Sequence, residues 1–280
     1  MPELPEVETI RRSLEPHLLG RTIAAAEVRH AHVTGGTARR DFVAAVVQRS
    51  VARLWRRGKY MVFDLPAAEG GVLLHMVCHL RMTGRLRYLP PRARWEESPA
   101  HTHAVFRLRG GGRLIFHDVR KFGRLLLARA EDLPSLLPSG RDPVLDGLDG
   151  RALRQILAAR RGCLKALLLR QDLLCGLGNI YADEALHRAG LHPARSAAGL
   201  VEADFSRLAV GIVSVLEEAL AFRGTTLLDY RSGDGEKGAF AQYLRVYGRC
   251  GRPCRTCGAS VETIRVVGRT TAFCSRCQRP

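Results

Sequence analysis

Four cysteines near the end of the chain are spaced to hold a metal ion. Cys254 and Cys257 form one Cys-x-x-Cys pair and Cys274 and Cys277 form another, with residues 258–273 between them. Each pair puts two thiolates on one tight turn, and the intervening length suits a two-stranded hairpin that returns the chain to the far side of a tetrahedral ion. One structural Zn2+ is the expected occupant. A redox dithiol or two disulfides is the alternative reading. Some thirty residues bury too little apolar surface to fold alone, so ligation would supply about 10–16 kcal/mol. Residues 248–280 also carry seven arginines against one acid, Glu262, a composition that suits phosphate. Balancing the thiolate charge is the plainer use of those arginines. Arg269, on the return of the hairpin, is the leading phosphate contact.

The other end of the chain offers a nucleophile. Met1 precedes Pro2, a residue small enough to permit methionine removal, which would leave a free secondary amine. An ordinary α-amino group is roughly 10–15% neutral at pH 7, whereas a solvated lysine is almost wholly protonated. A secondary amine that attacks a sugar C1′ forms an iminium with no N–H proton to lose, and this cation draws electrons for elimination. Glu3 and Glu6 stand beside it, and one carboxyl group could protonate the sugar ring oxygen and then help remove a proton from C2′. Taken alone, the same residues are also good helix-start residues.

These groups sit in a strongly basic chain. The 280 residues carry 44 Lys and Arg against 27 Asp and Glu, a formal charge of +17. Such a surplus implies a polyanionic partner, because clustered cations gain free energy by displacing counterions from nucleic acid. A membrane surface is the weaker alternative. Only Lys59, Lys121, Lys165 and Lys237 are lysine; the bias toward arginine is mostly compositional, yet it makes each lysine a candidate for a place that wants a compact ammonium or a titratable amine. Apolar runs stop well short of the ~20 residues that span a bilayer, and the opening carries no secretory pattern. The cytoplasm is therefore the expected address, and Cys78, Cys163, Cys175 and Cys250 are expected as reduced thiols.

The elements that must position these groups follow from periodicity. Val7, Ile10, Leu14 and Leu18 predict a helix over 5–19, with Pro5 in its first turn and Gly20 at its stop. From 22 to 128 short apolar runs alternate with polar ones, as in 22–28, 60–65, 72–77 and 85–89. Runs 104–108 and 114–116 flank Gly110-Gly111-Gly112, a hairpin turn. The expected class is α+β multidomain: an antiparallel β-sandwich with a flanking helix over 2–130, a linker over 131–148, a helical domain over 149–240, and a zinc ribbon over 246–280. Residues 229–238 are polar and glycine-rich and read as a mobile loop.

The opening MPELPEVETIRR resembles that of the formamidopyrimidine-DNA glycosylases and their endonuclease VIII relatives. The likeness continues through RRGKY (56–60), HLRMTG (79–84), THAVF (102–106), HDVRKFG (117–123), GLGNIYADEAL (176–186), AGLHP (189–193) and VYGRCGRPCRTCG (246–258). It implies a helix-two-turn-helix DNA-binding domain for the helical half, and roles for matching positions. Pro2 would be the nucleophile, Glu3 the general acid and base, Glu6 its support, and Lys59 a phosphate anchor and proton donor. Met82, Arg120 and Phe122 would enter the duplex once the damaged nucleotide is extruded: a wedge, a cation for the orphaned base and an aromatic that stacks. Core packing is the plainer fate of such a Met and Phe. Asn179 matches a phosphate-binding turn, Lys165 a lysine near the damage pocket, Arg269 a ribbon contact, and His101 a further DNA-binding position.

The resemblance implies removal of oxidised purines such as 8-oxoguanine and formamidopyrimidines from duplex DNA, followed by β- and δ-elimination. The enzyme would be a monomer in the cytoplasm, associated with the nucleoid, with the single zinc as its one cofactor. Two departures stand out: Lys121 where relatives often have Arg, and the extra positive charge of HLRMTGR (79–85) where many have Gly. An oxidised-pyrimidine glycosylase and a non-catalytic zinc-ribbon DNA-binding protein are the rival readings.

Overall fold

The computed structural model describes residues 1–67, 71–95, 97–226 and 231–279. They fall into two compact units, Met1–Leu137 with Arg223–Ala239, and Pro138–Phe222 with Phe240–Pro280.

The first unit opens with α1 (Leu4–Leu18). Proline suits its first turn, and the left-handed Gly20 (φ +73°) follows its end. Val7, Ile10, Leu14 and Leu18 form one buried stripe, each 0–1% exposed. Strands β1 (Ile23–Val28), β2 (Arg53–Arg57), β3 (Tyr60–Leu65), β4 (Leu74–His79), β5 (Gly84–Leu89), β6 (Thr102–Leu108), β7 (Arg113–Asp118) and β8 (Arg124–Ala128) pair antiparallel in two sheets, ordered β1-β6-β7-β5 and β2-β3-β4-β8. One core joins them, with Ile23, Leu86 and Phe106 from the first sheet beside Met61, Phe63 and Leu125 from the second and Ile10 and Leu14 of α1. This is the expected sandwich with its flanking helix.

One helix was not anticipated by the sequence. Residues Arg39–Val46 form a helix, α2, which buries Phe42 and Val46. The segment 229–238 was expected to be mobile. Asp229 and Tyr230 lie outside the described residues, and 231–238 form a turn in which Gly233 N–H donates to Ser13 Oγ (2.8 Å) and Gly233 O accepts from Tyr88 N–H (3.0 Å). Glycine is needed here because a Cβ on Gly233 would meet Leu14 Cγ at 2.6 Å.

A helical turn, α3 (Leu133–Leu136), ends the long run of the first unit. The second unit holds α4 (Gly150–Leu157), α5 (Leu164–Leu168), α6 (Asn179–Ala189) and α7 (Glu202–Ala221), then the hairpin β9 (Glu262–Val266) and β10 (Arg269–Phe273). Close packing of α7 on α6 requires Gly211, whose Cβ would stand 2.8 Å from Ala185 O. The hairpin has a small core of its own: Val246, Cys254, Val261, Ala272 and Cys274. Among the described residues no helix is long and apolar enough to cross a membrane.

Candidate active site and DNA interface

The amino end is held tightly. Pro2 is buried, and Glu3 and Glu6 are 3% and 2% exposed. Glu6 reaches back to Glu3 N–H (Oε2, 2.8 Å), so one of the helix's otherwise orphaned donors is satisfied. Its other oxygen accepts Thr225 N–H at 2.7 Å. That approach depends on Gly224 (φ +83°), where a Cβ would sit 2.8 Å from Glu6 Oε1. Glu6 thus uses both oxygens to fix the start of α1, which fits a supporting part.

Lys59 lies on the turn between β2 and β3 and is 5% exposed. The turn is anchored by α1: Arg56, whose side chain is 1% exposed, pairs with Glu8 Oε2 at 3.1 Å and donates to Gly58 O at 3.0 Å. Arg11, Arg12 and Arg56 together hold the Glu8 carboxyl below the usual carboxylate range, against the burial that pushes it up. His79, across from Tyr60 in the β3–β4 ladder, accepts Arg81 N–H on Nδ1 (3.0 Å). Burial, aided by Arg81 and Lys59, pulls His79 down to about 3, so its ring is neutral at pH 7.

Two loops carry the residues expected to enter the duplex. Met82 and Phe122 are 43% and 47% exposed, an orientation that a core role would not give. Arg120 lies over the Phe122 ring, 4.7 Å from its centre. A groove of about 380 Å³ is lined by Met1, Arg81, Met82, Phe122 and Arg124, so the structure gathers these loops around the start of the chain. Their common post is Asp118, which is fully buried. Its Oδ1 accepts Thr83 Oγ1–H and Arg120 N–H, and its Oδ2 accepts Gly123 N–H at 2.7 Å. Three bonds to one carboxylate tie the Met82 loop to the Phe122 loop. His101 stands at the entry to β6, its ring edge-on to His117 at 5.8 Å.

In the second unit, Asn179 begins α6 after Gly176 (φ +97°) and the N-capping Gly178. Its Nδ2 donates to Thr270 O at 3.0 Å, which sets it beside Arg269 at the exposed start of β10. Lys165 was expected among the DNA contacts, yet the structure places it inside: its side chain is 0% exposed and its ammonium bonds Asp183 Oδ1 (2.5 Å) and Asn179 O (2.9 Å). Asp183 spends its second oxygen on Ala272 N–H of β10 at 3.0 Å. Burial raises the Asp183 carboxyl to about 6 while Lys165 opposes the rise. Glu184 next to it takes the backbone N–H groups of Arg245, Val246 and Tyr247. Helix α6 is therefore the post to which the hairpin is tied.

The four sulfur atoms of Cys254, Cys257, Cys274 and Cys277 lie within 4.8 Å of one another. Zn–S bonds of about 2.3 Å at tetrahedral angles require sulfurs about 3.8 Å apart, and the Cys254–Cys277 and Cys257–Cys274 separations are 3.9 and 3.5 Å. The donor set and spacing fit one structural Zn2+. His187 Nε2, 3.4 Å from Cys254 Sγ, can donate to that sulfur.

Known proteins match along the whole chain. The sequence model of the formamidopyrimidine-DNA glycosylase N-terminal domain covers residues 1–125, that of the same enzyme's H2TH domain 139–230, and that of a zinc finger found in FPG and IleRS 249–280. Formamidopyrimidine-DNA glycosylases of Desulfitobacterium hafniense and Heliobacterium modesticaldum are 44% and 45% identical, over 99% and 100% of this chain and all of theirs. The chain belongs to the formamidopyrimidine-DNA glycosylase family. A crystal structure of a Lactococcus lactis Fpg mutant with Fapy-dG DNA superposes over the full length of both chains with a TM-score of 0.89 at 34% identity. The wild-type Lactococcus enzyme with an oxidized pyrimidine containing DNA gives 0.87, also at 34% and over both full lengths.

Arg81 (φ +54°) and Lys121 (φ +59°) are left-handed, a conformation that costs a residue with a Cβ about 1–2 kcal/mol and glycine almost nothing. This chain accepts that strain at Arg81, which places a cation on the groove wall. The sequence reading missed Asp118, Asp183 and the Glu8–Arg56 pair. Asp118 and Asp183 lie inside the quoted matches, next to residues that were singled out, and only a count of loop N–H groups in need of an acceptor would have found them.

Proposed function

We propose that Pro2, freed by removal of Met1, attacks C1′ of an oxidised purine nucleotide in duplex DNA. Family membership carries the enzyme class, a bifunctional DNA glycosylase and abasic-site lyase; the assignment of steps to residues is our reading. Glu3 protonates the sugar ring oxygen as the C1′–base bond breaks, and the base leaves. The resulting iminium withdraws electrons from C2′, Glu3 assists loss of a C2′ proton, and the 3′ phosphate departs in β-elimination. Proton loss from C4′ then expels the 5′ phosphate in δ-elimination. Glu6 holds the helix start against recoil, and Lys59 anchors a phosphate. Met82, Arg120 and Phe122 fill the space left by the extruded nucleotide, and Asn179, Arg269 and His101 grip the backbone. Zinc, bound by the four cysteines, shapes the ribbon. The same reading places the enzyme in the cytoplasm, on the nucleoid, as a monomer.

The observation that carries this reading is the gathering of Met82 and Phe122, half-exposed and fixed by one buried carboxylate, around the start of the chain. A comparison of single-turnover excision on duplexes with 8-oxoguanine or oxidised thymine tests it. Faster release of the oxidised purine is expected. A preference for the pyrimidine would overturn the oxidised-purine assignment; among similar proteins, the wild-type Lactococcus Fpg has been crystallised with an oxidized pyrimidine containing DNA.

A further inference from the structure

The outer face of the β1-β6-β7-β5 sheet carries a second groove, of about 510 Å³, that no step above uses. Its floor is apolar: Val105 is half-buried, Ile115 is 2% exposed, and Trp95 and Pro99 form a wall. Its rim is cationic, with Arg29, Arg94, Arg107 and Arg113 against a single lining acid among the described residues, Glu27. Glu27 is already matched by Arg29, at 2.9 Å. The residue opposite Arg107 in the β6–β7 ladder is Arg113. Like charges facing each other across strands are destabilising, and among the described residues no carboxylate bonds either member of this pair.

The rim is also built in place. Arg113 donates to Ala93 O (2.6 Å), Arg29 to Pro99 O (2.7 Å), and the Trp95 indole N–H to Thr102 Oγ1 (3.0 Å). Side chains so anchored lose little freedom when a ligand arrives.

We propose that this groove docks a short acidic peptide segment of a partner protein, with one or two apolar side chains on the floor and carboxylates on the arginine rim. The run from Thr102 to Arg107 spans about 16 Å, enough for some five extended residues. A second copy of this chain is a poor occupant, because its formal charge of +17 repels the rim. A nucleic-acid strand would use the cations and leave the apolar floor unfilled, and Arg87 already covers the Trp95 ring, 5.6 Å from its centre. The proposal is independent of the chemistry assigned to Pro2.

The test uses the full, zinc-loaded protein and a fluorescein-labelled octapeptide of alternating aspartate and leucine, read by anisotropy. Arg107→Glu with Arg113→Glu should weaken binding about tenfold or more, and Arg94→Glu on the exposed loop should weaken it less. Replacing leucine by serine in the peptide should weaken binding as well. Excision on an 8-oxoguanine duplex should be unchanged in every variant. Equal binding by the double variant, or by the serine peptide, overturns the proposal. If lesion-free duplex loses affinity in parallel with the peptide, the groove belongs to nucleic acid and the proposal is also overturned.

Discussion

The amino-terminal region and the zinc ribbon solve the same problem, holding a few polar groups still, by opposite means. The first rests on a large core in which α1 and both sheets share buried Ile10, Phe63 and Phe106, and its polar groups are fixed by carboxylates: Glu6, Glu8 and Asp118. The second has five core residues, two of them cysteines, and borrows its order from the metal and from α6. Order around the start of α1 therefore comes from packing, and order in the hairpin comes from ligation and from Asp183 and Glu184.

That contrast breaks most clearly on metal removal. Chelation should forfeit about 10 kcal/mol or more of ribbon folding energy, so hydrogen exchange in 249–279 should rise by orders of magnitude while α1 and strands β1–β8 keep their protection. Equal loss of protection in both regions would show that the ribbon's order is shared rather than borrowed. Next in size, Pro2→Gly should slow excision by about 10³-fold or more, with lesion-duplex affinity within a few-fold of the parent. A comparable loss of affinity would make Pro2 a structural residue.

Lys165→Met should cost about 3–5 kcal/mol in urea unfolding, because it leaves the Asp183 carboxylate buried and unpaired. Adding Asp183→Leu should restore most of that stability without restoring duplex affinity, since Ala272 N–H and Asn179 O stay unfastened. Full recovery of affinity would separate the buried pair from DNA binding.

The smallest effect is a pH dependence placed in the first region. His79 binds its proton only near pH 3 when folded but near its ordinary 6.5 when unfolded. The unfolded state thus holds more protons between these values, and stability falls as pH drops through 6.5 and levels off below 3. About 2 kcal/mol should vanish between pH 7 and 5, and His79→Gln should remove that part of the profile.

The ribbon cysteines were legible because their chemistry is local: two short spacings and one hairpin length define the site. The strands were legible because alternation is local too. Helix α2 was not, since Phe42, Val43 and Val46 are few, Arg39 and Arg40 precede them, and Ala38 at its start gives no capping signal. The buried posts were illegible for another reason. Asp118 serves Thr83, thirty-five residues away, and Asp183 serves Lys165 and Ala272, eighteen and eighty-nine away. No spacing rule links such residues. Lys165 shows the limit: the resemblance implies a lysine near the damage pocket, and its burial against Asp183 rests on a carboxylate that the sequence does not mark.

The central claim is that the amine of Pro2 becomes bonded to deoxyribose. Borohydride reduction of the reacting enzyme on 8-oxoguanine duplex, followed by peptide mapping in a mass spectrometer, tests it directly. The account predicts one adduct, on a peptide beginning with Pro2. An adduct on Lys59 or another lysine, or none from active protein shown to lack Met1, would contradict it.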